Sequence, residues 1–154
     1  MTIKISTTFD AGAIEVVHAE NASAIELNLR KDSHADIAQW FYFRLQGARG
    51  ERCSMRILNA SDATYPDGWQ NYQAVASYDR KHWFRVPTSY DGKVMTIAHT
   101  PQYDSVYYAY FEPYSWERHL DLLARAQMSA TAQVQDLGNT CLLYTSPSPR
   151  DKRQ

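Results

Sequence analysis

The segment WFYFRL, residues 40–45, decides the fold because its side chains alternate in character with a period of two. That period belongs to a β-strand, in which successive side chains point to opposite faces of a sheet. Phe41, Phe43 and Leu45 are therefore predicted to face a hydrophobic core. The tryptophan, tyrosine and arginine between them are predicted to lie on the other face.

Short segments with the same alternation recur on both sides of this strand. Turn residues join them, and no helical pattern intervenes. Segments 73–78 and 82–86 are separated by only three residues, a hairpin-length gap. In the second of these, Phe84 and Val86 are predicted to face the core. The strand segments lie at 24–30, 40–45, 53–58, 73–78, 82–86, 94–98 and 106–111. This spacing predicts an all-β fold, an antiparallel β-sandwich.

One helix is predicted after the last strand. Ser115 suits the N-cap position and Glu117 the first turn. Trp116, Leu120 and Leu123 fall on one stripe of a 3.6-residue period. The predicted layout is a sandwich over 1–114, followed by a helix and linker over 115–136.

Composition and charge narrow the function classes. The chain has 154 residues, 16 Lys and Arg against 17 Asp and Glu, and a formal net charge of −1. This balance gives no electrostatic basis for binding nucleic acid or an anionic membrane. Two cysteines, Cys53 and Cys141, argue against a disulfide-stapled scaffold or a structural zinc cluster. The expectation is one cytoplasmic globular domain.

The sequence contains no recognisable catalytic centre. Its five histidines, at positions 18, 34, 82, 99 and 119, form no His-x-x-Glu, His-x-x-His or His-Glu-x-x-His arrangement. No nucleophile elbow and no glycine-rich phosphate loop is present. No catalytic residue and no metal ligand is therefore assigned, and the chain on its own is predicted to be inactive.

Aromatic residues give the remaining functional signal. The strand pattern places five candidates away from the core: Trp40, Tyr42, Arg44, Trp83 and Arg85. Tryptophan, tyrosine and arginine are the residues enriched at binding hot spots. Three interpretations stay open: docking onto another domain, a sugar-binding platform, or a covered sheet face.

The last segment, residues 141–154, departs from the pattern of the rest of the chain. Its sequence is CLLYTSPSPRDKRQ. Residues 141–151 resemble a translated transposon adapter of the kind used to build short-read sequencing libraries, which would carry no evolved structure. The alternative is a genuine disordered tail rich in serine and proline. The tail is expected to make few contacts with the sandwich.

Four blocks of residues resemble the N-terminal domain of bacterial cytosolic-type zinc carboxypeptidases. In chain order they are 9–14 (FDAGAI), 40–44 (WFYFR), 74–88 (AVASYD leading into WFRVPT) and 108–115 (YAYFEPYS). The resemblance runs from about Phe9 to Thr140. Within it, residues 137–140 (LGNT) resemble the start of the catalytic domain.

The resemblance implies a non-catalytic sandwich followed by a carboxypeptidase A-like α/β domain. That domain would bind zinc through a His-x-x-Glu pair and a later histidine, all beyond Thr140. The parent protein would be a hydrolase that removes C-terminal residues from peptides or proteins. The implied partners are the missing catalytic domain and a peptide or protein substrate. The alternative function is a free-standing β-sandwich that binds carbohydrate or protein.

Overall fold

The computed structural model describes residues 2–135 and Gly138. Contacts divide the described residues into two compact units, the first ending at Pro113 and the second beginning at Tyr114. In the described residues, the first unit holds every strand and the second holds the α-helix. The expectations for residues 141–154 lie outside the described residues.

The first unit consists of two five-stranded sheets. Sheet I has the strand order β1-β4-β10-β6-β7, and sheet II has the order β2-β3-β5-β9-β8. The strands are Lys4–Ser6 (β1), Glu15–His18 (β2), Ile25–Asn28 (β3), Tyr42–Gln46 (β4), Cys53–Ile57 (β5), Val75–Ser77 (β6), Phe84–Arg85 (β7), Thr88–Tyr90 (β8), Met95–His99 (β9) and Ser105–Ala109 (β10).

Strand pairing is antiparallel except between β3 and β5. The chain leaves sheet II after β3, forms β4 in sheet I, and returns to sheet II as β5. A parallel pair needs such a crossover connection. The predicted all-β sandwich with one helix is confirmed, with this single parallel pair as the departure from a wholly antiparallel arrangement.

The hydrophobic core lies between the two sheets. Phe41, Phe43 and Leu45 are fully buried in it, which confirms their predicted inward orientation. Sheet II contributes alternate residues of its three central strands: Ile25, Leu27, Cys53, Met55, Ile57, Met95 and Ile97. Burial of these apolar side chains supplies the main driving force for folding.

Three short 3-10 helices lie in the connections, at Ala22–Ala24, Ala60–Asp62 and Pro66–Trp69. The last one buries Trp69, whose indole Nε1 donates a 2.9 Å hydrogen bond to the carbonyl of Ala60. Trp69 also packs against the ring of Tyr110, 5.3 Å away. The connection between β5 and β6 therefore delivers a tryptophan to the core.

The α-helix, α1, spans Trp116–Gln127. Ser115 is its N-cap, as predicted: the Oγ atom accepts a 3.3 Å hydrogen bond from the backbone N–H of Arg118. Glu117 in the first turn and Arg125 in the last complement the helix dipole. No residue of α1 is buried. In the described part of the chain, no helix has the length and hydropathy to cross a bilayer.

Candidate functional site

The five predicted site residues belong to the face of sheet I that points away from the core. Tyr42 on β4 pairs with Ala109 on β10, Ala109 pairs with Val75 on β6, and Val75 pairs with Arg85 on β7. This row and its neighbours form a second hydrophobic cluster, separate from the core, which we call the outer aromatic cluster. Its members are Tyr42, Val75 and Ala109, with Phe9, Trp40, Trp83 and Tyr107 packed against them.

Tyr42 occupies the centre of the outer aromatic cluster. Its ring contacts those of Phe9, Trp83 and Tyr107 at centroid distances of 4.7, 5.9 and 6.1 Å. The side chain is only 1% exposed. Tyr42 has the predicted outward orientation, and side chains from neighbouring loops cover it.

The side chain of Arg80 packs over the outer aromatic cluster. It lies in the β6–β7 turn with φ at +63°, and its Nε donates a 3.2 Å hydrogen bond to the hydroxyl of Tyr42. Its guanidinium lies 5.9 Å from the ring centre of Phe9 and 5.6 Å from that of Tyr107. Both distances suit cation–π attraction. The sequence pattern did not reveal this residue, because a turn position says nothing about where its side chain will lie.

Asp79 shapes the turn that carries Arg80. Its Oδ1 accepts 2.8 Å hydrogen bonds from the backbone N–H groups of Lys81 and His82. Its Oδ2 lies 2.6 Å from Nδ1 of His82. The hydrogen bonds from His82, backbone and side chain, and then that from Lys81, hold the pKa of the Asp79 carboxyl far below its usual range. The carboxylate therefore fixes the turn.

Burial raises the pKa of the Tyr42 hydroxyl, with the nearby Arg80 opposing the shift. Desolvation disfavours the phenolate, whereas a cation favours it. Tyr42 is therefore a neutral hydroxyl that accepts a hydrogen bond. Its role in the cluster is packing.

Trp40 and Phe111 form a further pair of packed rings on this surface. The Trp40 indole donates a 2.7 Å hydrogen bond from Nε1 to the carbonyl of Ala11, and its ring lies 4.9 Å from that of Phe111. Trp40 is half-buried, whereas Phe111 is 52% exposed. Phe111 follows the end of β10, so the pair lies where the chain leaves sheet I.

Two buried donors on the outer face of sheet I lack acceptors within the described residues. They are Nε of Arg44 and Nε1 of Trp83. Arg85, by contrast, donates from its guanidinium to the carbonyl of Gln73. Buried donors are normally satisfied in native proteins, and leaving one unpaired costs about 1–3 kcal/mol. Two buried N–H groups of this face therefore have no hydrogen-bond acceptor among the described residues.

A second group of rings lies at the opposite end of the sandwich. Tyr78 packs against Phe84 and Tyr103 at 5.4 and 4.9 Å, and Phe84 packs against His99 at 5.7 Å. Phe84 is 38% exposed, so its predicted place in the core is wrong. It does point away from Trp83, but β7 is the edge strand of sheet I and leaves it at the margin of the core.

Potential metal and nucleophilic groups are dispersed. Across residues 2–135 and Gly138, no three His, Cys, Asp or Glu side chains are placed to hold one metal ion. His99 is paired through Nδ1 with the Tyr108 hydroxyl at 2.8 Å. Cys53 is fully buried, and burial raises the pKa of its thiol to about 11, which keeps it protonated and unreactive. The described residues therefore do not fit a catalytic zinc site.

Comparison with known proteins identifies the architecture. Residues 5–111 match the family model described as the cytosolic carboxypeptidase N-terminal domain. A metallo-carboxypeptidase of Burkholderia cenocepacia, known from its crystal structure, is 58% identical with a TM-score of 0.88. That match covers 90% of this chain and 37% of the Burkholderia chain.

Two further relatives show the same partial coverage. A metallo-carboxypeptidase of Pseudomonas aeruginosa, solved with (2-guanidinoethylmercapto)succinic acid, is 41% identical with a TM-score of 0.78. The match covers 80% of this chain and 33% of that one. A protein of Zymomonas mobilis is 41% identical over 140 residues. This match covers 91% of this chain and 37% of the Zymomonas protein. The chain belongs to the family of cytosolic carboxypeptidase N-terminal domains.

Proposed function

We propose that this chain is the non-catalytic N-terminal domain of a cytoplasmic zinc metallocarboxypeptidase that hydrolyses C-terminal residues from peptides or proteins. The observation that carries the proposal is the partial match to relatives described as metallo-carboxypeptidases, of whose length this chain spans 33–37%. The described residues offer no metal-binding group. The zinc ligands and the substrate site are accordingly assigned to the remainder of the parent protein.

We propose the Trp40–Phe111 pair as the contact with the catalytic domain. Trp40 precedes β4, Phe111 follows β10, and these strands are antiparallel neighbours. Both residues therefore lie at the end of sheet I where the chain leaves the sandwich. In sequence, Phe111 is only three residues from Tyr114, where the second unit begins. A half-buried tryptophan next to an exposed phenylalanine has the composition of an interface anchor.

The other predicted site residues fit a supporting role in the same contact. Tyr42 is buried beneath the neighbouring side chains and supports them by packing. The unmatched donors of Arg44 and Trp83 lie on the same face of the sheet. Both donor atoms lie beneath the surface, so a covering domain would reach them only if these two side chains rearranged. The missing domain is proposed to cover the face around them.

The carbohydrate-binding alternative receives less support from the geometry. Sugar stacking needs an open ring face, but Tyr42 is 1% exposed. Trp40 and Trp83 contact Tyr42 edge-to-face, with interplanar angles of 77° and 64°. These rings fill the cluster and do not form a flat platform.

A chimaera tests the proposal. It joins residues 1–135 to the portion of the Burkholderia cenocepacia protein that follows the position aligned with residue 135. We expect the chimaera to release C-terminal amino acids from peptides in a chelator-sensitive manner. Phe111→Ser should lower its melting temperature by more than it lowers that of the 154-residue chain, because only the chimaera loses an interdomain contact.

Tyr103→Ser is the matched control, since Tyr103 is a similarly exposed ring at the opposite end of the sandwich, 58% accessible. It should shift the melting temperatures of both proteins equally. An equal effect of Phe111→Ser in the two proteins would contradict the proposed contact surface. A folded chimaera without chelator-sensitive release would contradict the proposed enzyme.

A further inference from the structure

We propose that the guanidinium of Arg80 binds a carboxylate group on the outer face of sheet I. The proposed peptidase needs a zinc site and a substrate site, and both are assigned to the remainder of the parent protein. The carboxylate site at Arg80 belongs to this chain itself. It therefore goes beyond the proposed function.

The Arg80 side chain has hydrogen-bond donors that this chain does not use. Its Nε donates to the hydroxyl of Tyr42 at 3.2 Å. An arginine has five N–H donors, so four remain on Nη1 and Nη2. Among residues 2–135 and Gly138, these donors have no acceptor and the guanidinium forms no ion pair. Arg80 is exposed, so a ligand can reach them.

Neighbouring side chains hold the guanidinium in place. It lies 5.9 Å from the ring centre of Phe9 and 5.6 Å from that of Tyr107, both within cation–π range. Together with the hydrogen bond to Tyr42, these contacts restrict the rotamers of a long side chain. A side chain that is fixed before binding loses less entropy when a ligand arrives.

The backbone of Arg80 is also fixed, in a conformation that residues other than glycine rarely adopt. Its φ is +63°, in the left-handed region. Its N–H donates a 2.8 Å hydrogen bond to Oγ of Ser77, a fully buried residue. Strained backbone of this kind persists where the surroundings enforce it, and it is concentrated at functional sites. A binding role for the side chain that this turn presents accounts for the strain.

The charges of sheet I favour an anionic ligand. Its five strands contain three charged residues, all of them basic: Lys4, Arg44 and Arg85. All three lie on the outer face. Lys4 pairs with Gln46, two residues beyond Arg44, and Arg85 pairs with Val75 of the outer aromatic cluster. The net charge of −1 therefore conceals a basic sheet face, which attracts anions.

The available donors suit a carboxylate better than a phosphate. The backbone N–H groups of the turn are already used. Asp79 accepts those of Lys81 and His82, and Ser77 accepts that of Arg80. A ligand therefore meets one planar guanidinium, whose parallel N–H groups match the two oxygens of a carboxylate. Phosphate sites commonly add several backbone N–H groups, which this turn does not offer.

Titration of the 154-residue chain with glutarate tests the proposal. Glutarate should shift the backbone amide resonances of residues 79–82 with a dissociation constant of about 1–10 mM at low ionic strength. Glutaramide, which has the same shape without the charge, should leave them in place. Arg80→Ala should weaken glutarate binding at least about 10-fold.

Arg52→Ala is the matched control. Arg52 is an exposed arginine immediately before β5 of sheet II, so the variant has the same net charge as Arg80→Ala but keeps the site. It should change the affinity for glutarate by less than about 2-fold.

Two further variants separate a shaped site from diffuse charge. Arg80→Lys keeps the charge but loses the planar fork, and it should weaken binding at least about 5-fold. Tyr42→Phe leaves Arg80 unchanged and removes only the hydrogen bond to its Nε. It should weaken binding about 2–5-fold, because the guanidinium is then less restrained.

Three results would overturn the proposal. The first is amide resonances of 79–82 that do not move at about 50 mM glutarate. The second is an equal loss of affinity in Arg80→Ala and Arg52→Ala, which would indicate attraction by general charge. The third is binding of inorganic phosphate at least about 10-fold tighter than that of glutarate, which would exclude a carboxylate site.

Two sources can supply the carboxylate: an acidic side chain in the remainder of the parent, or a separate ligand. The same titration in the chimaera distinguishes them. Loss of glutarate binding in the folded chimaera would assign the carboxylate to the parent itself, whereas unchanged binding would assign it to a separate molecule. The site itself is tested in the 154-residue chain, so its failure and that of the proposed peptidase are distinguishable.

Discussion

Replacing Tyr42 probes whether the outer aromatic cluster stabilises the sandwich by itself. Tyr42→Ala removes a ring that is 1% exposed and packed against Phe9, Trp83 and Tyr107. Truncating a buried aromatic side chain to alanine costs about 3–5 kcal/mol. We therefore expect the free energy of unfolding to fall by that amount and the melting temperature by about 10–20 °C.

Tyr42→Phe separates the hydroxyl from the ring. It removes the 3.2 Å hydrogen bond from Arg80 but keeps the aromatic contacts. Because the exposed guanidinium can be solvated again, we expect a loss near the lower end of the range for such bonds, about 1 kcal/mol. Arg80→Ala should cost more than Tyr42→Phe, because it also removes the cation–π contacts with Phe9 and Tyr107. The double variant should cost less than the sum of the two.

The assay is equilibrium urea unfolding of the 154-residue chain, followed by tryptophan fluorescence and by far-ultraviolet circular dichroism. Tyr103→Ala is the control, because that ring is 58% exposed and its loss should cost less than about 1 kcal/mol. A cost below about 1 kcal/mol for Tyr42→Ala would refute the reasoning. It would mean that the cluster is loosely held and depends on a partner.

The remaining predictions concern pH and turn geometry. Burial lowers the pKa of His99 from 6.5, so the folded protein binds this proton less readily than the unfolded chain. Stability should therefore be complete above pH 6.5, decline as the pH falls through 6.5, and level off below the folded-state pKa. Between about pH 7.5 and 5.5, the urea midpoint of His99→Gln should fall less than that of the unsubstituted chain. An equal fall of the midpoint in both proteins would show that His99 is not the group responsible. Gly12→Ala would place a Cβ 2.1 Å from the carbonyl oxygen of Thr7, so we expect a loss of about 2 kcal/mol or more. At Gly92 an added Cβ would contact nothing within 4 Å, so Gly92→Ala should cost only the backbone strain of φ +94°, about 1–2 kcal/mol. Equal effects of the two glycine substitutions on the melting temperature would count against the close backbone approach at Gly12.

Side-chain alternation predicted orientation more successfully than burial. Phe41 and Phe43 point inward as predicted, and Tyr42 points outward. Tyr42 is nevertheless covered, because Phe9, Arg80 and Trp83 reach it from two loops distant in sequence. A period of two specifies which face a residue occupies. It contains no information about what else covers that face.

Other differences arise from tertiary pairing. The parallel pairing of β3 with β5 depends on β4 joining the other sheet, which no local pattern reveals. Phe84 has the predicted direction but lies on a two-residue edge strand, where one side of the ring is left open. The helix, by contrast, begins at the predicted cap, because Ser115 capping is a local interaction.

The central proposal is that this chain is a domain without a catalytic centre of its own. Zinc titration calorimetry of the purified 154-residue chain, run beside an assay for released C-terminal amino acids, tests it most directly. We expect no submicromolar zinc site and no release with or without added zinc. One-to-one submicromolar zinc binding, or release that a chelator abolishes, would contradict the claim.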